Sequence, residues 1–143
     1  MTAENDTYKD VTVLIVEDEP TTRASIRSQL RQIGIPTILE ANDGKAGLAE
    51  LARTRPTLVL CDVHMKPVDG RQFLKMVRTD KVEWVKNIPI IFLTADANPD
   101  TVAFAKEFHV NGYLVKPISV NDLRSRIDAV LKSIDRSAQA QGL

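Results

Sequence analysis

Five short apolar runs punctuate the chain, at residues 13–16, 37–39, 58–61, 90–93 and 113–115, and they hardly alternate between apolar and polar residues. A strand with one wet face alternates with period two. A run of Val, Ile and Leu without alternation is buried on both faces, as in a parallel sheet covered by helices on each side. Each run is strand-length and far short of the roughly 20 apolar residues that a membrane-spanning helix needs. This feature narrows the fold more than any other.

The intervening segments have helical spacing. Ile26, Leu30 and Ile33 share one face, and Gly34 stops that helix. Leu48, Leu51 and Ala52 line the second, after the turn-forming Asn42-Asp43-Gly44, and Phe73, Leu74 and Val77 line a third that starts near Gly70. Asn98-Pro99 supplies an N-cap and first-turn residue for a fourth, with a thin apolar face of Val102, Ala105 and Phe108. The fifth carries Leu123, Ile127, Val130, Leu131 and Ile134 in one stripe behind Ser119 and Asp122, which resemble a capping box. The order is β-α five times. Right-handed crossovers then give a flavodoxin-like (βα)5 three-layer α/β sandwich with a parallel five-stranded sheet in the order 2-1-3-4-5.

With 143 residues the chain suits one domain that buries about two thirds of its unfolded surface. Nineteen basic and nineteen acidic residues cancel, which removes the electrostatic reason to expect nucleic acid or an anionic membrane as partner. Cys61 is the only cysteine, so an intramolecular disulfide is excluded and a reducing compartment is expected. The N-terminus MTAENDTYKD lacks an apolar signal core, and the expectation is a cytoplasmic protein. Residues 1–10 are expected to be a disordered N-terminal tail, 11–134 the folded domain and 135–143 a C-terminal tail, with output passing through a partner because no second domain follows.

In open parallel sheets the chemistry gathers beyond the carboxyl ends of the strands. Glu17, Asp18 and Glu19 follow the first run, Asp62, His64 and Lys66 the third, Thr94, Ala95 and Asp96 the fourth, and Lys116-Pro117 the fifth. Glu40 follows the second but lies off to one side. The first and third strands are neighbours in this order, so Glu17, Asp18 and Asp62 crowd together. Like charges this close disfavour each other's ionisation, and a hard divalent cation such as Mg2+ with oxygen ligands resolves the conflict. Lys116 and the Thr94 hydroxyl flank the same spot. A cation, a hydroxyl and a metal around one carboxylate suit a phosphoryl group, and a carboxylate can itself be the nucleophile.

These residues resemble the response-regulator receiver domains of two-component signalling. The resemblance runs from about residue 11 to 134 and rests on VLIVEDEP, LVLCDVHM, Asp69-Gly70, IIFLTADA and GYLVKP, each at the matching strand end. It implies that Asp62 accepts a phosphoryl group from a histidine kinase or histidine phosphotransfer protein. It implies further that Glu17, Asp18, Asp62 and the backbone carbonyl of His64 bind Mg2+, and that Thr94, Ala95 and Lys116 surround the phosphoryl group. Thr94 and Tyr113 would act as the switch, reshaping the face of the fourth predicted helix, fifth strand and fifth predicted helix toward a downstream protein or a phosphorylation-dependent dimer. His64 and Asp96 match positions that tune dephosphorylation, and the Lys116–Pro117 bond would be cis. One departure stands out: Lys66, a third candidate for tuning, occupies the place where the family usually has Pro, putting an extra cation near the phosphoryl group, and Pro67 comes one later.

Outside this class, a metal-dependent phosphohydrolase would carry a second Asp two residues after the nucleophile, where His64 stands. A flavin module would want Gly, Ser and Thr rather than EDEP after the first strand. The remaining alternative is a phosphorylation-independent interaction module on the same fold. Enzymatic turnover is expected only as self-phosphorylation and autodephosphorylation.

Overall fold

The computed structural model describes residues 7–140 of the chain. Its strands are β1 (Thr12–Val16), β2 (Thr37–Ala41), β3 (Leu58–Cys61), β4 (Ile90–Thr94) and β5 (Gly112–Val115). Its helices are α1 (Pro20–Ile33), α2 (Gly44–Thr54), α3 (Gly70–Arg78), α4 (Glu83–Lys86), α5 (Pro99–Glu107) and α6 (Val120–Ala140). All strand pairs are parallel, and the order is β2-β1-β3-β4-β5, as the strand patterning predicts.

In the inner strands β1, β3 and β4 the missing alternation has a direct cause, whereas the edge strands β2 and β5 stay partly exposed. Val13, Ile15, Leu58, Leu60, Ile91 and Leu93 face one way, onto Ile26 and Leu30 of α1 and Leu123 and Ile127 of α6. Leu14, Val16, Val59, Cys61, Ile90 and Phe92 face the other, onto Leu51, Phe73, Leu74 and Ala105 of α2, α3 and α5. Both sets are essentially inaccessible to water. Truncating Phe73 in such a core costs about 3–5 kcal/mol.

The helix ends follow local chemistry. Glu19 caps α1, accepting from the Thr21 and Thr22 N–H groups, and Gly34 closes it in the left-handed conformation at φ 106°. Asp69 and Gln72 form a reciprocal capping box at α3, and Asn98 caps α5.

Four details differ from the sequence reading. The one-turn α4 is additional; four residues are too few to show a helical period, and Val85 is its buried anchor. The fourth and fifth predicted helices are therefore α5 and α6. Ala52 is exposed, because α2 packs through Gly47 and Leu51, and a glycine leaves no apolar signal in a sequence. Ile134 is 37% exposed, so the apolar stripe of α6 loosens at its end, while the helix itself runs on to Ala140. Finally Tyr8, within the expected N-terminal tail, is buried and donates to Asp128 Oδ1 of α6 at 2.7 Å. Burial and the Asp128 carboxylate push its pKa up to about 12. Residues 1–6 and 141–143 of the two expected tails lie outside the described residues.

Arg78 staples the far end of α3. Its guanidinium donates to the carbonyls of Phe108, Lys86, Ile88 and His109 and to Asn111 Oδ1, at 2.7–3.1 Å. Those groups end loops whose backbone acceptors would otherwise lack partners.

Candidate functional site

The strand ladders extend past the strands and carry the polar residues into line. Asp62 N–H donates to Val16 O at 3.0 Å, Glu17 N–H to Ala41 O at 3.0 Å, and Lys116 N–H to Thr94 O at 2.8 Å. With Val16 paired to Cys61, the next residues, Glu17 and Asp62, fall side by side. Carboxylate oxygens of Glu17, Asp18 and Asp62 lie within 4.8 Å of one another.

Burial grades these acids. Glu17 is 2% exposed, Asp62 9%, and Asp18 is exposed at the mouth. Lys116 Nζ reaches across from β5 to Glu17 Oε1 at 2.8 Å and stands 3.8 Å from Asp62 Oδ1. Desolvation pushes the Glu17 carboxyl above its ordinary range and the Asp62 charge adds to that, while the Lys116 ammonium opposes it. Three carboxylates against one ammonium leave an excess of negative charge in a largely dry pocket. A cluster of hard oxygen donors with one member open to solvent fits Mg2+, which keeps waters and takes few protein carboxylates. The donor set therefore agrees with the metal expected from the sequence.

Asp62 is held tightly. Its Oδ1 accepts from the Val63 N–H at 2.8 Å, and its carbonyl accepts from Cys61 Sγ at 3.1 Å. Gly70 passes so near that a Cβ there would meet the Asp62 carbonyl oxygen at 2.3 Å, so no larger residue fits. Here the requirement for glycine is close approach, not dihedral freedom.

Thr94 is fully buried and accepts from the Asp96 N–H at 3.1 Å, and Ala95 follows exposed on the loop. Asp96 is a junction. Its carboxylate meets His64 Nε2 at 2.8 Å, Thr101 Oγ1 at 3.1 Å and the Asn98 N–H at 2.7 Å, and its carbonyl accepts from the Tyr113 hydroxyl. The Asn98 N–H, with Thr101 and His64 behind it, holds its carboxyl below the usual range. Tyr113 points inward, edge-on to Phe92 at 6.0 Å between ring centroids. Burial raises its pKa, and the nearby Asp96 and Asp62 charges add to that. Lys66 is exposed on the loop between β3 and α3, and both Lys66–Pro67 and Lys116–Pro117 are cis.

Glu17, Asp18, Asp62 and Lys116 thus converge, Thr94 ends β4 with its carbonyl bonded to the Lys116 N–H, and His64 and Tyr113 are joined through Asp96. Arg23 was not singled out by sequence. It donates to the Glu17 carbonyl at 2.8 Å while its Nε pairs with Glu40 at 3.2 Å, tying the acidic turn to β2. The available signal was its position six residues past Glu17, on the first turns of α1.

A buried strand-end carboxylate with two acidic neighbours, a threonine and a lysine, on a 2-1-3-4-5 sheet, is the arrangement of a receiver domain. The chain belongs to the response regulator receiver domain family, whose model matches residues 13–128. It is 32% identical over 126 residues to chemotaxis protein CheY-3 of Vibrio cholerae, covering 88% of this chain and 95% of that protein. It is also 32% identical over 123 residues to chemotaxis protein CheY of Pseudomonas aeruginosa, covering 86% and 98%. Among solved structures it resembles chemotaxis protein CheY4 of V. cholerae, with TM-score 0.76 and 29% identity over 84% of this chain and 98% of that one. The receiver domain of a signal transduction histidine kinase from Syntrophus aciditrophicus matches with TM-score 0.78 and 27% identity over 88% and 93%.

Proposed function

We propose that this protein is a phosphorylation-dependent signalling switch in which Asp62 accepts a phosphoryl group from the phosphohistidine of a kinase or phosphotransfer protein. The observation that carries the reading is the placement of Asp62, nearly buried, with carboxylate oxygens of Glu17 and Asp18 within 4.8 Å and Lys116 Nζ 3.8 Å from its Oδ1. An Asp62 carboxylate oxygen attacks phosphorus, the P–N bond to the donor imidazole breaks, and the imidazole leaves with the electron pair. Lys116, now paired with Glu17, is within reach of the incoming phosphoryl oxygens. Asp18, Glu17, Asp62 and the His64 backbone carbonyl would hold Mg2+, which supplies positive charge facing the phosphoryl oxygens.

The readout follows from the existing bonds. The Thr94 hydroxyl donates toward the new phosphoryl group, drawing with it the loop that begins at Ala95 and reaches Asp96. That loop accepts the Tyr113 hydroxyl, so its displacement reaches β5 and the α5–β5–α6 face, where a downstream protein would bind. Phosphorylation then biases an existing equilibrium between two arrangements of this face. His64 and Asp96 stand at the rim, where they set the access of water to the acyl phosphate. The balance of nineteen basic and nineteen acidic residues supports a protein partner rather than a polyanion.

The test is incubation with a small phosphodonor and Mg2+ followed by intact-mass measurement. One phosphoryl adduct is expected on the wild type and none on Asp62→Asn. An adduct retained in that variant would refute the assignment.

A further inference from the structure

The loop between β3 and α3 presents a cation that the mechanism above does not use. Its ends are pinned, since Gly70 N–H donates to Val63 O at 2.7 Å and Gly70 abuts the Asp62 carbonyl. Its middle is pinned as well, because Met65 is buried in the core beside Phe73 and Leu74. A loop fixed at both ends and at Met65 turns the next residue outward. Lys66 is accordingly exposed and lines a cavity of about 370 Å3 together with Asp18, His64, Met65 and Asp69. That cavity is the approach to the acidic pocket, since Asp18 belongs to both.

The basic side chains around this opening are not equivalent. Lys116 is engaged by Glu17, and His64 is engaged by Asp96. Among the described residues Lys66 makes no ion pair within 4.0 Å. It is therefore the unengaged positive charge on the rim of a pocket that otherwise presents carboxylates to an incoming anion.

We propose that Lys66 determines donor specificity, favouring phosphodonors of higher negative charge by offsetting the repulsion of Glu17, Asp18, Asp62 and Asp69 at the entrance. This inference rests on the reading of Asp62 as the acceptor. A unit charge about 10 Å from a dianion in water changes encounter about fourfold, and salt screens the effect. For a monoanion the same charge is worth about twofold.

Two small donors differ in the required way near neutral pH: acetyl phosphate is a dianion and phosphoramidate a monoanion. With acetyl phosphate the Asp62 Oδ–P bond forms as the P–O bond to the acyl oxygen breaks, and acetate leaves with the electron pair. With phosphoramidate the P–N bond breaks and ammonia leaves. The experiment measures the second-order rate of adduct formation with each donor, with Mg2+ present, at low and high salt. Lys66→Ala should slow acetyl phosphate about fourfold and phosphoramidate about twofold at low salt. Lys66→Arg should restore both rates, Lys66→Glu should slow acetyl phosphate further, and high salt should erase the differences.

Equal losses with both donors, unaffected by salt, would mean that Lys66 only shapes the loop and would overturn the proposal. So would unchanged rates in Lys66→Ala while the wild type is phosphorylated normally. A wild type that takes no phosphoryl group from either donor would instead overturn the acceptor reading, and this inference with it.

Discussion

Two neighbouring strand ends use the same chemistry with opposite results. At the end of β1, Glu17 is 2% exposed and meets one ammonium, Lys116, while carboxylate oxygens of Asp18 and Asp62 lie within 4.8 Å. At the end of β2, Glu40 retains 31% side-chain exposure and meets two guanidiniums, Arg23 at 3.2 Å and Arg27 at 2.9 Å. The Glu40 pairing is satisfied and wet, so it has nothing further to attract. Glu17 and Asp62 are nearly buried and, with Asp18, short of positive charge, so they do. Ion pairing alone does not mark a functional site; unbalanced charge with restricted solvation does. Arg23 belongs to both regions through the Glu17 carbonyl, and so couples the relaxed corner to the poised one.

The contrast can be broken most forcefully at Lys116. Replacing it with Met leaves Glu17 buried without its counter-ion, and the expected loss is about 3 kcal/mol at neutral pH without added Mg2+, measured by urea denaturation. The loss should shrink in acid, where Glu17 becomes neutral.

A smaller effect is expected for Glu17→Gln, and its sign depends on pH. Burial raises the folded-state pKa of Glu17 above its ordinary value of 4.5. The folded state therefore keeps this proton to higher pH than the unfolded chain. The resulting stability is fully present below about 4.5 and is lost as pH rises through the raised value. Gln cannot ionise, so the variant should gain on the wild type as pH rises through that window. Denaturation midpoints of both proteins across this range check it, and a difference independent of pH would contradict it.

The smallest effect belongs to Glu40→Gln. Its partners are partly exposed, so the change should cost about 1 kcal/mol or less and fade at high salt. A loss matching that of Lys116→Met would remove the distinction between the two corners.

Much of the fold was legible because the inner strands β1, β3 and β4 are buried on both faces, which removes alternation and leaves compact Val, Ile and Leu runs such as LVLC and IIFL. The convergence of Glu17, Asp18, Asp62 and Lys116 was legible for a related reason. In a parallel sheet of this order each stands just past the carboxyl end of a strand, and Thr94 closes β4 at the same edge. What escaped depends on contacts that leave no period. Arg78 leaves no periodic signal, yet it caps five acceptors in two stretches, residues 86–88 and 108–111, and burial lowers its pKa to about 10. Tyr8 reads as tail because its partner, Asp128, lies 120 residues away. The junction at Asp96 joins His64, Thr101 and Tyr113 from separate elements, and only tertiary structure reveals that the rim and the switch tyrosine meet at one residue.

The central claim is that the carboxylate at position 62 is the one that forms the acyl phosphate. Treating the phosphorylated protein with borohydride reduces an aspartyl phosphate to homoserine, which peptide mass mapping then locates. Homoserine is expected at position 62 alone, dependent on Mg2+ during phosphorylation. Homoserine at position 18, or an adduct that resists borohydride, would contradict it.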